Sequence, residues 1–410
     1  MGERTLKVAF LSPSWPVDKT ANGIATYVHG VAAGMRRLGH TPIVLSSHYD
    51  EDNLPPDFYP LELEELSVLS RIRDGLNFRI NAPEALREKF SRVLVKSARR
   101  AIEERGVELL EMEETFGWVQ LVKPRLPIPV VARLHGPHFA NGPALGVPAD
   151  DAFRQRVRDE GVGIAQADGV SAPSRDILER TREQYGLPLS DAVVIPCPGP
   201  AVSAEQRWAL ADCDRSLLLF IGRFDRHKGG DVVIDAFRSI AQRFPKIRLC
   251  FVGADEGITD EQGRRWTLSQ YIDERAPDAA GRIDCLGRQP NSSLAELRRK
   301  AFVTIVGSRY ENLPLVVLEA IAYGSPLVAT RTGGIVEIIE DGVNGVLARP
   351  GDPDDLAAAI ARLLEAPEFA AKLGRRAAED AAARYHPDAI ARETAAFFQT
   401  VLDRRSRRAS

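Results

Sequence analysis

The chain alternates short apolar segments with amphipathic helical segments, and one proline-rich break interrupts that alternation. Apolar runs such as Leu6–Ser12 are followed by stretches with helical spacing, as in Ile24–Leu38. This alternation predicts parallel strands covered by helices. The break Pro-Cys-Pro-Gly-Pro at 196–200 separates two such series, and 410 residues are too many for one ordinary core. The sequence therefore predicts an α/β protein with two facing Rossmann-like, doubly wound domains and a cleft between them.

The predicted domain boundaries follow from that break. We expect an N-terminal domain over 1–198, a linker over 199–214, and a C-terminal domain over 215–385. The last segment, 386–410, is predicted to be helical. In proteins built this way, such a closing helix often packs back on the first domain.

Composition excludes several classes of protein. The net charge is −3, so no general affinity for nucleic acid is expected. No run approaches ~18 apolar residues, the length of a membrane span. The N-terminus lacks the apolar core and small-residue cleavage site of a signal peptide. The four cysteines have no C-x-x-C spacing and are typical of idle cytosolic thiols. We therefore expect a cytoplasmic protein.

One segment leaves peripheral membrane contact open. Residues 50–82 are expected to be irregular, and residues 84–105 to form a helix. That helix carries basic residues beside apolar ones, namely Arg87, Lys89, Arg92, Lys96, Arg99 and Arg100. Such a face can dock on anionic lipid at the inner face of a membrane. Its glutamates favour a solvated helix instead.

Two glutamates lie near the start of a predicted helix in the second half. Phe302–Val306 is typical of a buried strand, and the helix after it ends near Gly324. Pro314 is predicted in the first helical turn, where its missing N–H costs nothing. Glu311 then lies at the mouth of the helix. Glu319 follows five residues beyond Pro314, roughly 7–8 Å along the axis. The free N–H groups between them suit an anion such as a diphosphate.

A basic loop opens the second half of the chain. Predicted strand Leu217–Gly222 leads into Arg223 and Lys228, followed by glycines and a helix. Backbone N–H groups with an arginine and a lysine are the usual equipment for binding a phosphate. A solvated basic loop is the alternative. The glutamate pair at another strand end of the same predicted sheet favours the binding role.

The first half contains two further candidates. Predicted strand Ile128–Leu134 ends at His135-Gly136, and open α/β sheets bind ligands at the carboxyl ends of their strands. Gly23 lies in the loop between the first strand and the first helix. That loop lacks G-x-G-x-x-G, so it is not a standard dinucleotide fingerprint.

Taken together, these motifs resemble the retaining glycosyltransferases of family 4, which have the GT-B architecture. The resemblance covers nearly the whole chain and includes the His135-Gly136 strand end. Its most specific parts are Gly222-Arg223-x4-Lys228 with Glu311-x7-Glu319. It implies a retaining, hexosyltransferase-type enzyme. Such an enzyme would move a sugar from a nucleotide-diphosphate donor, which the resemblance implies is UDP-linked and bound by the C-terminal domain, to a hydroxyl-bearing acceptor on the side of the N-terminal domain. The acceptor could be a glycan, a lipid-linked saccharide or a small molecule.

The resemblance also implies roles for single residues. Glu319 should bind the ribose hydroxyls, and Glu311 those of the donor sugar. His135 should lie near the sugar and the transferred bond. The side chains of Arg223 and Lys228 should hold the diphosphate. Backbone groups of five further residues should contact it as well, namely Gly23, Gly222, Asn312, Leu313 and Leu315. The chain departs from the family at Asn312, where glycine is common, so the sugar stays open.

Neither a metal nor another cofactor is expected. Arg223, Lys228 and a helix mouth can stabilise a departing diphosphate without a metal. Two Asp-x-Asp triplets, Asp50–Asp52 and Asp212–Asp214, fall in predicted loops and are interpreted as chance. Two other functions remain as alternatives. They are a nucleotide-sugar epimerase on the same fold and a nucleotide-sugar-binding protein without turnover.

Overall fold

The chain divides into two compact units, each built on one parallel β-sheet. The computed structural model describes residues 4–15, 22–49, 57–61 and 68–409, with side chains of 84–407 in the last range. The first unit comprises Met1–Ala140, Ala149–Pro196 and Pro387–Ser410. The second comprises Asn141–Pro148 and Cys197–His386.

Within the described residues, the first unit has a seven-stranded sheet in the order β3-β2-β1-β4-β5-β6-β7, with every neighbouring pair parallel. Its strands are β1 (Lys7–Ser12), β2 (Thr41–Ser46), β3 (Phe58–Pro60), β4 (Leu109–Glu113), β5 (Val130–Arg133), β6 (Gly169–Ala172) and β7 (Val193–Val194). Its helices are α1 (Gly23–Arg37), α2 (Val68–Arg105), α3 (Trp118–Val122), α4 (His138–Leu145, which continues into the second unit), α5 (Asp151–Gln166) and α6 (Arg175–Tyr185).

Local sequence explains where these elements begin and what they bury. Helix α1 begins after Asn22, whose side-chain oxygen accepts the N–H groups of Ile24 (2.8 Å) and Ala25 (3.3 Å). Strand β4 is buried along its whole length, as expected for a parallel strand covered on both faces. One core cluster joins this sheet to α2 and α3 through residues such as Leu94 and Val119.

The second unit has a six-stranded parallel sheet in the order β12-β9-β8-β13-β14-β15, again counted over the described residues. The strands of this unit are β8 (Asp214–Ile221), β9 (Arg248–Val252), β10 (Ile258–Thr259), β11 (Arg265–Trp266), β12 (Ile283–Gly287), β13 (Ala301–Val306), β14 (Leu327–Thr330) and β15 (Val346–Ala348). Strands β10 and β11 form a separate antiparallel hairpin. The helices are α7 (Gly230–Arg243), α8 (Leu268–Arg275), α9 (Asn291–Lys300), α10 (Leu315–Tyr323), α11 (Ile335–Ile338), α12 (Pro353–Glu365) and α13 (Pro367–Arg384).

The last helix, α14 (Pro387–Ala409), belongs to the first unit. It packs across α1, where Gly34 allows close approach. A Cβ atom on Gly34 would lie 2.7 Å from both the Ala391 Cβ and the Pro387 carbonyl oxygen. The rings of Phe10 and Phe398 lie 5.9 Å apart between β1 and α14. The first unit is thus completed by the end of the chain.

Several elements differ from the sequence prediction. The helix expected over 84–105 begins at Val68 and continues through Pro83, a residue that more often ends a helix. Residues 57–61 contain β3 rather than irregular chain, while 50–56 and 62–67 lie outside the described residues. The sequence also predicts a helix over about 265–275, but the helix begins at Leu268, because β11 occupies the preceding residues. Strands of two or three residues are too short to give a periodic signal.

The basic face of α2 is partly engaged in contacts within the first unit. Arg99 donates to the carbonyl oxygen of Arg125 (2.7 and 3.1 Å), and Arg100 donates to Glu104 (2.8 Å). None of the helices in the part of the chain that the structure describes is long and apolar enough to cross a membrane.

We predict that Gly34→Ala lowers the free energy of unfolding by about 1–3 kcal/mol, because the added Cβ meets α14 with little room to shift. An ordinary Gly-to-Ala change in a helix would instead stabilise by about 1 kcal/mol. Urea unfolding measures the change. Gly281→Ala is the matched control, since its Cβ would meet nothing within 4 Å. A stabilised Gly34→Ala variant would contradict the predicted packing.

Candidate functional site

Three loops of the second unit follow strands that are neighbours in its sheet. The β8 loop (residues 222–229), the β13 loop (307–314) and the β14 loop (331–334) each start at a strand's carboxyl end. Because the three strands are parallel, their loops emerge at the same edge of the sheet. This is the edge at which open α/β sheets bind ligands.

The β8 and β13 loops are joined by direct backbone contact. Gly229 has a φ of 67°, and a Cβ atom there would lie 2.0 Å from the carbonyl oxygen of Gly307. The Arg309 N–H donates to the carbonyl oxygen of His227 (2.9 Å). The Arg309 guanidinium also forms a two-pronged ion pair with Asp231 (2.9 and 2.7 Å) on α7. Only glycine fits this approach, and the arginine fixes the two loops in register.

The β14 loop closes on the same residues. The Gly334 N–H donates to the carbonyl oxygen of Glu311 (2.9 Å). Gly333 has a φ of 47°, and a Cβ atom there would lie 1.9 Å from that same oxygen. The Thr332 hydroxyl donates to the carbonyl oxygen of Arg309 (3.2 Å). The backbone at Glu311 is therefore held from both sides.

Glu311 is the charged centre of this arrangement. Its side chain is 7% exposed, and its Oε1 accepts from Lys228 Nζ (2.6 Å) and Ser308 Oγ (2.7 Å). Burial raises the pKa of Glu311, but Lys228, His227 and Ser308 outweigh that effect and leave the pKa below its ordinary value. Glu311 is thus ionised at neutral pH, and Lys228 is its counter-ion.

Glu319 lies on α10 and contacts Arg298 of α9. The Arg298 side chain is 4% exposed, whereas 28% of the Glu319 side chain remains exposed. One carboxylate oxygen is therefore paired with a buried arginine, and burial raises the pKa of Glu319 despite the opposing effect of Arg298. Helix α10 begins at Leu315, with Pro314 as its N-cap rather than in the first turn as the sequence predicted.

The remaining predicted residues of this unit lie around the same loops. Gly222 follows β8 directly, and Arg223 is half exposed and paired with Asp225 (2.8 Å). The side chains of Asn312 and Leu313 are buried, and Asn312 accepts from the Tyr310 hydroxyl (2.9 Å). Their side chains are thus turned into the protein, which leaves the backbone as their means of contacting a ligand.

Two predicted residues, Gly23 and His135, belong to the first unit. Gly23 is the exposed first residue of α1. His135 follows β5, and its ring packs edge-on against Tyr27 with centroids 4.9 Å apart. Burial, and then the nearby Arg133 guanidinium, lower the pKa of His135 well below its usual range. Its imidazole is therefore neutral at pH 7.

Charged residues beneath His135 orient the ring on which it packs. The Tyr27 hydroxyl donates to Glu111 Oε1 (2.9 Å), and the Arg133 guanidinium lies 4.1 Å from the Tyr27 ring centroid. Arg133 is 1% exposed and donates to the carbonyl oxygen of Ile195 (2.8 Å). These residues were not predicted from the sequence. The available signal was an arginine and a glutamate within otherwise apolar strands.

The structure describes only one of the two Asp-x-Asp triplets. Asp50–Asp52 lies outside the described residues. Asp214 is the first residue of β8, at the amino end of the strand, where it accepts from Ser216 (2.6 Å) and Arg248 (3.0 Å). The second triplet is thus remote from the loop edge.

Comparison with known proteins follows the same division of the chain. Residues 21–198 match the family model described as Glycosyltransferase Family 4, and residues 203–380 match Glycosyl transferases group 1. The D-inositol 3-phosphate glycosyltransferase of Nocardiopsis dassonvillei is 34% identical over 63% of this chain, and the match spans only 62% of that relative. D-inositol 3-phosphate glycosyltransferase 2 of Catenulispora acidiphila is 30% identical over 70% of this chain and 68% of that protein.

Solved structures share the fold over nearly the whole chain. Sucrose-phosphate synthase of Thermosynechococcus elongatus superposes with a TM-score of 0.74 at 21% identity, covering 97% of this chain and 99% of that one. Anabaena HepE in complex with UDP-glucose superposes with a TM-score of 0.69 at 19% identity, covering 96% and 100%. Two parallel-sheet α/β domains with these neighbours define the GT-B fold. The chain belongs to glycosyltransferase family 4. The family and the fold class predicted from the sequence are therefore confirmed.

We predict that Glu311→Gln destabilises the protein at neutral pH by about 1–3 kcal/mol, the usual range for a charge-assisted hydrogen bond. The folded-state pKa of Glu311 is lowered, so its contribution is complete above its ordinary value of 4.5 and disappears as the pH falls through the lowered pKa. Urea unfolding from pH 7 down to pH 3 should therefore show a constant difference above pH 4.5 and convergence of the wild type and the variant below it. Glu365→Gln, which breaks the exposed pair with Arg243, is the control and should change stability by about 0.5 kcal/mol or less. A difference that grows with falling pH would contradict the ion pair.

Proposed function

We propose that the protein is a retaining hexosyltransferase that moves a sugar from a UDP-linked donor to a hydroxyl-bearing acceptor without a metal ion. The observation that carries the proposal is the contact between Lys228 and Glu311. Two loops held rigidly against each other present one cation and one carboxylate at the ligand-binding edge of the sheet. A lysine suits a diphosphate, and a carboxylate suits sugar hydroxyls.

The second unit would hold the donor in a defined order. Glu319 would accept from the ribose through Oε1, because Arg298 contacts its Oε2. Lys228, Arg223 and the N–H groups at the start of α10 would bind the diphosphate. Glu311 would then turn to the sugar hydroxyls as the diphosphate competes for Lys228. The positive charges would stabilise the negative charge that develops on the departing diphosphate.

Retention would follow from attack on the face that the leaving group occupies. The acceptor oxygen bonds to the anomeric carbon while the bond from that carbon to the phosphate oxygen breaks. The electron pair of the broken bond stays on the diphosphate, whose oxygen takes the proton of the acceptor hydroxyl. The products are a glycoside and a nucleoside diphosphate. Neutral His135 would hydrogen-bond near the transferred bond without introducing a charge.

The choice of substrates rests on similarity. The likeness to HepE in complex with UDP-glucose supports UDP as the nucleotide. The relatives named D-inositol 3-phosphate glycosyltransferase support an inositol phosphate as the first acceptor to test. The experiment incubates UDP-GlcNAc or UDP-glucose with D-inositol 3-phosphate and follows UDP release and glycoside formation. Epimer formation from the donor alone would favour an isomerase. Donor binding without hydrolysis or transfer would favour a binding protein.

We predict that Arg223→Ala and Lys228→Ala each weaken UDP binding by about 10-fold to 100-fold, the loss of one charge-assisted contact. Titration calorimetry with UDP measures the affinity. Lys300→Ala is the control, because this exposed lysine at the end of α9 forms a surface ion pair with nearby Glu296. Unchanged affinity in both loop variants would remove the diphosphate role from this loop.

We also predict that EDTA leaves transfer intact, because Arg223, Lys228 and the start of α10 supply the positive potential that a metal would otherwise provide. Transfer rates before and after chelation give the measurement. Full loss of activity in EDTA, with recovery on adding Mn²⁺, would contradict the metal-free proposal.

A further inference from the structure

We propose that Glu114 and Glu160 are positioning residues that hold the loop bearing His135 in the geometry needed for transfer. The loop in question is residues 135–137, between β5 and α4, together with His138, the first residue of α4. The inference rests on the proposed function, because the position of His135 matters to catalysis only if the protein transfers a sugar. Together we call Glu114 and Glu160 the glutamate clamp.

Glu114 holds the first half of the loop. It follows β4 directly, and its two carboxylate oxygens face two successive backbone donors. The His135 N–H donates to Oε2 (2.8 Å), and the Gly136 N–H donates to Oε1 (2.8 Å). The His135 N–H also reaches the carbonyl oxygen of Arg133 (3.0 Å). One side chain thus fixes the orientation of both peptide groups that flank the His135 Cα.

Glu160, on α5, holds the second half. Its Oε2 accepts the His138 N–H (2.6 Å), while its Oε1 accepts the Phe116 N–H (3.3 Å) and the Arg156 Nε–H (2.9 Å). Phe116 has a φ of 56°, a conformation that is uncommon for any residue but glycine. The clamp therefore ties the loop after β5 to the loop after β4 through a third element, α5.

Burying the two carboxyl groups of the glutamate clamp is electrostatically unfavourable. Both glutamates are fully buried, and burying a carboxylate costs free energy unless its partners are well placed. Arg156 pairs with Glu160, whereas the partners found for Glu114 are backbone N–H groups. Burial, Glu160 and Glu113 raise the pKa of Glu114. A well-packed apolar residue would serve stability at lower cost, so the retained carboxylates point to the loop that they fix.

The consequence concerns the His135 ring. Its edge-on contact with Tyr27 needs the backbone at His135 to stay in place. Groups displaced by about 1 Å from a reacting centre can lower rates by ~10²-fold. Loosening the clamp should therefore slow transfer, while donor binding by loops of the second unit should not change.

The test is Glu114→Gln, assayed with UDP-GlcNAc or UDP-glucose and D-inositol 3-phosphate. In either protonation state both oxygens of glutamate keep lone pairs, whereas the amide nitrogen of glutamine has none to accept an N–H. We expect kcat to fall about 10-fold or more, with the donor KM and the UDP affinity within about twofold of the wild type. A merely structural role would not separate kcat from donor binding in this way.

Glu113→Gln is the matched control. Glu113 is a buried neighbour of Glu114, and its recorded hydrogen bond is from the Thr115 hydroxyl (2.7 Å) rather than from the His135 loop. Its kcat should stay within about threefold of the wild type. A wild-type kcat in Glu114→Gln would overturn the proposal. Equal losses in both variants would overturn it as well, because they would reflect the buried acids in general.

A second variant and a second measurement keep the result decisive. If Glu114→Gln fails to fold, Glu114→Asp keeps the carboxyl group but shortens the reach, and an unchanged kcat in that variant overturns the clamp. If the wild type transfers no sugar, the proposed function fails. Hydrogen exchange of the peptide over 134–140 then tests the clamp alone. Exchange should quicken in the Glu114 variant and not in Glu113→Gln, and equal protection in both would reject the clamp.

Discussion

The close contact between the β8 and β13 loops is the constraint on which the candidate donor site depends. Gly229 lies so near the Gly307 carbonyl that a methyl group would collide with it, and Arg309 adds an ion pair across the same junction. Lys228 and Glu311 lie on opposite sides of this junction. The backbone geometry of the two loops therefore brings the two side chains together, unlike a surface ion pair between two flexible side chains. Pairs fixed in this way lose less side-chain entropy than surface ion pairs.

Glu311 can be buried and ionised because its surroundings supply several partners at once. Burial alone would favour the protonated acid, but a lysine, a serine hydroxyl and the nearby His227 reverse that preference. The β14 loop then fixes the backbone of the same residue through Gly333 and Gly334. A ligand that competes for Lys228 would leave a carboxylate already held in place. This is how a preorganised site limits the reorganisation that binding requires.

The sequence predicted which residues lie at the candidate site better than it predicted which other side chains contact them. Strand ends could be located from apolar runs, so Lys228 and Glu311 were assigned to one edge of one sheet, and the family and fold class were confirmed. Arg298, the partner of Glu319, could not be predicted, because a helix pattern does not specify which distant side chain a charge will meet. Glu114 and Glu160 were missed for the same reason, being 46 residues apart in sequence. Strands β10 and β11, of two residues each, are below the length at which alternation can be recognised.

The two units hold their candidate residues by different physical means. In the second unit the charged groups stay partly open to solvent, with 46% of Arg223 and 26% of Lys228 exposed, so an incoming anion can compete for them. In the first unit the fixing groups are fully buried carboxylates bonded to backbone N–H groups, which a ligand cannot reach. Residues that bind must be able to exchange partners, whereas a residue near a reacting bond must hold its position. The burial of Glu114 and Glu160 therefore matches their proposed role of keeping the His135 loop fixed, while the exposure of Arg223 and Lys228 matches their proposed role of exchanging contacts with a donor.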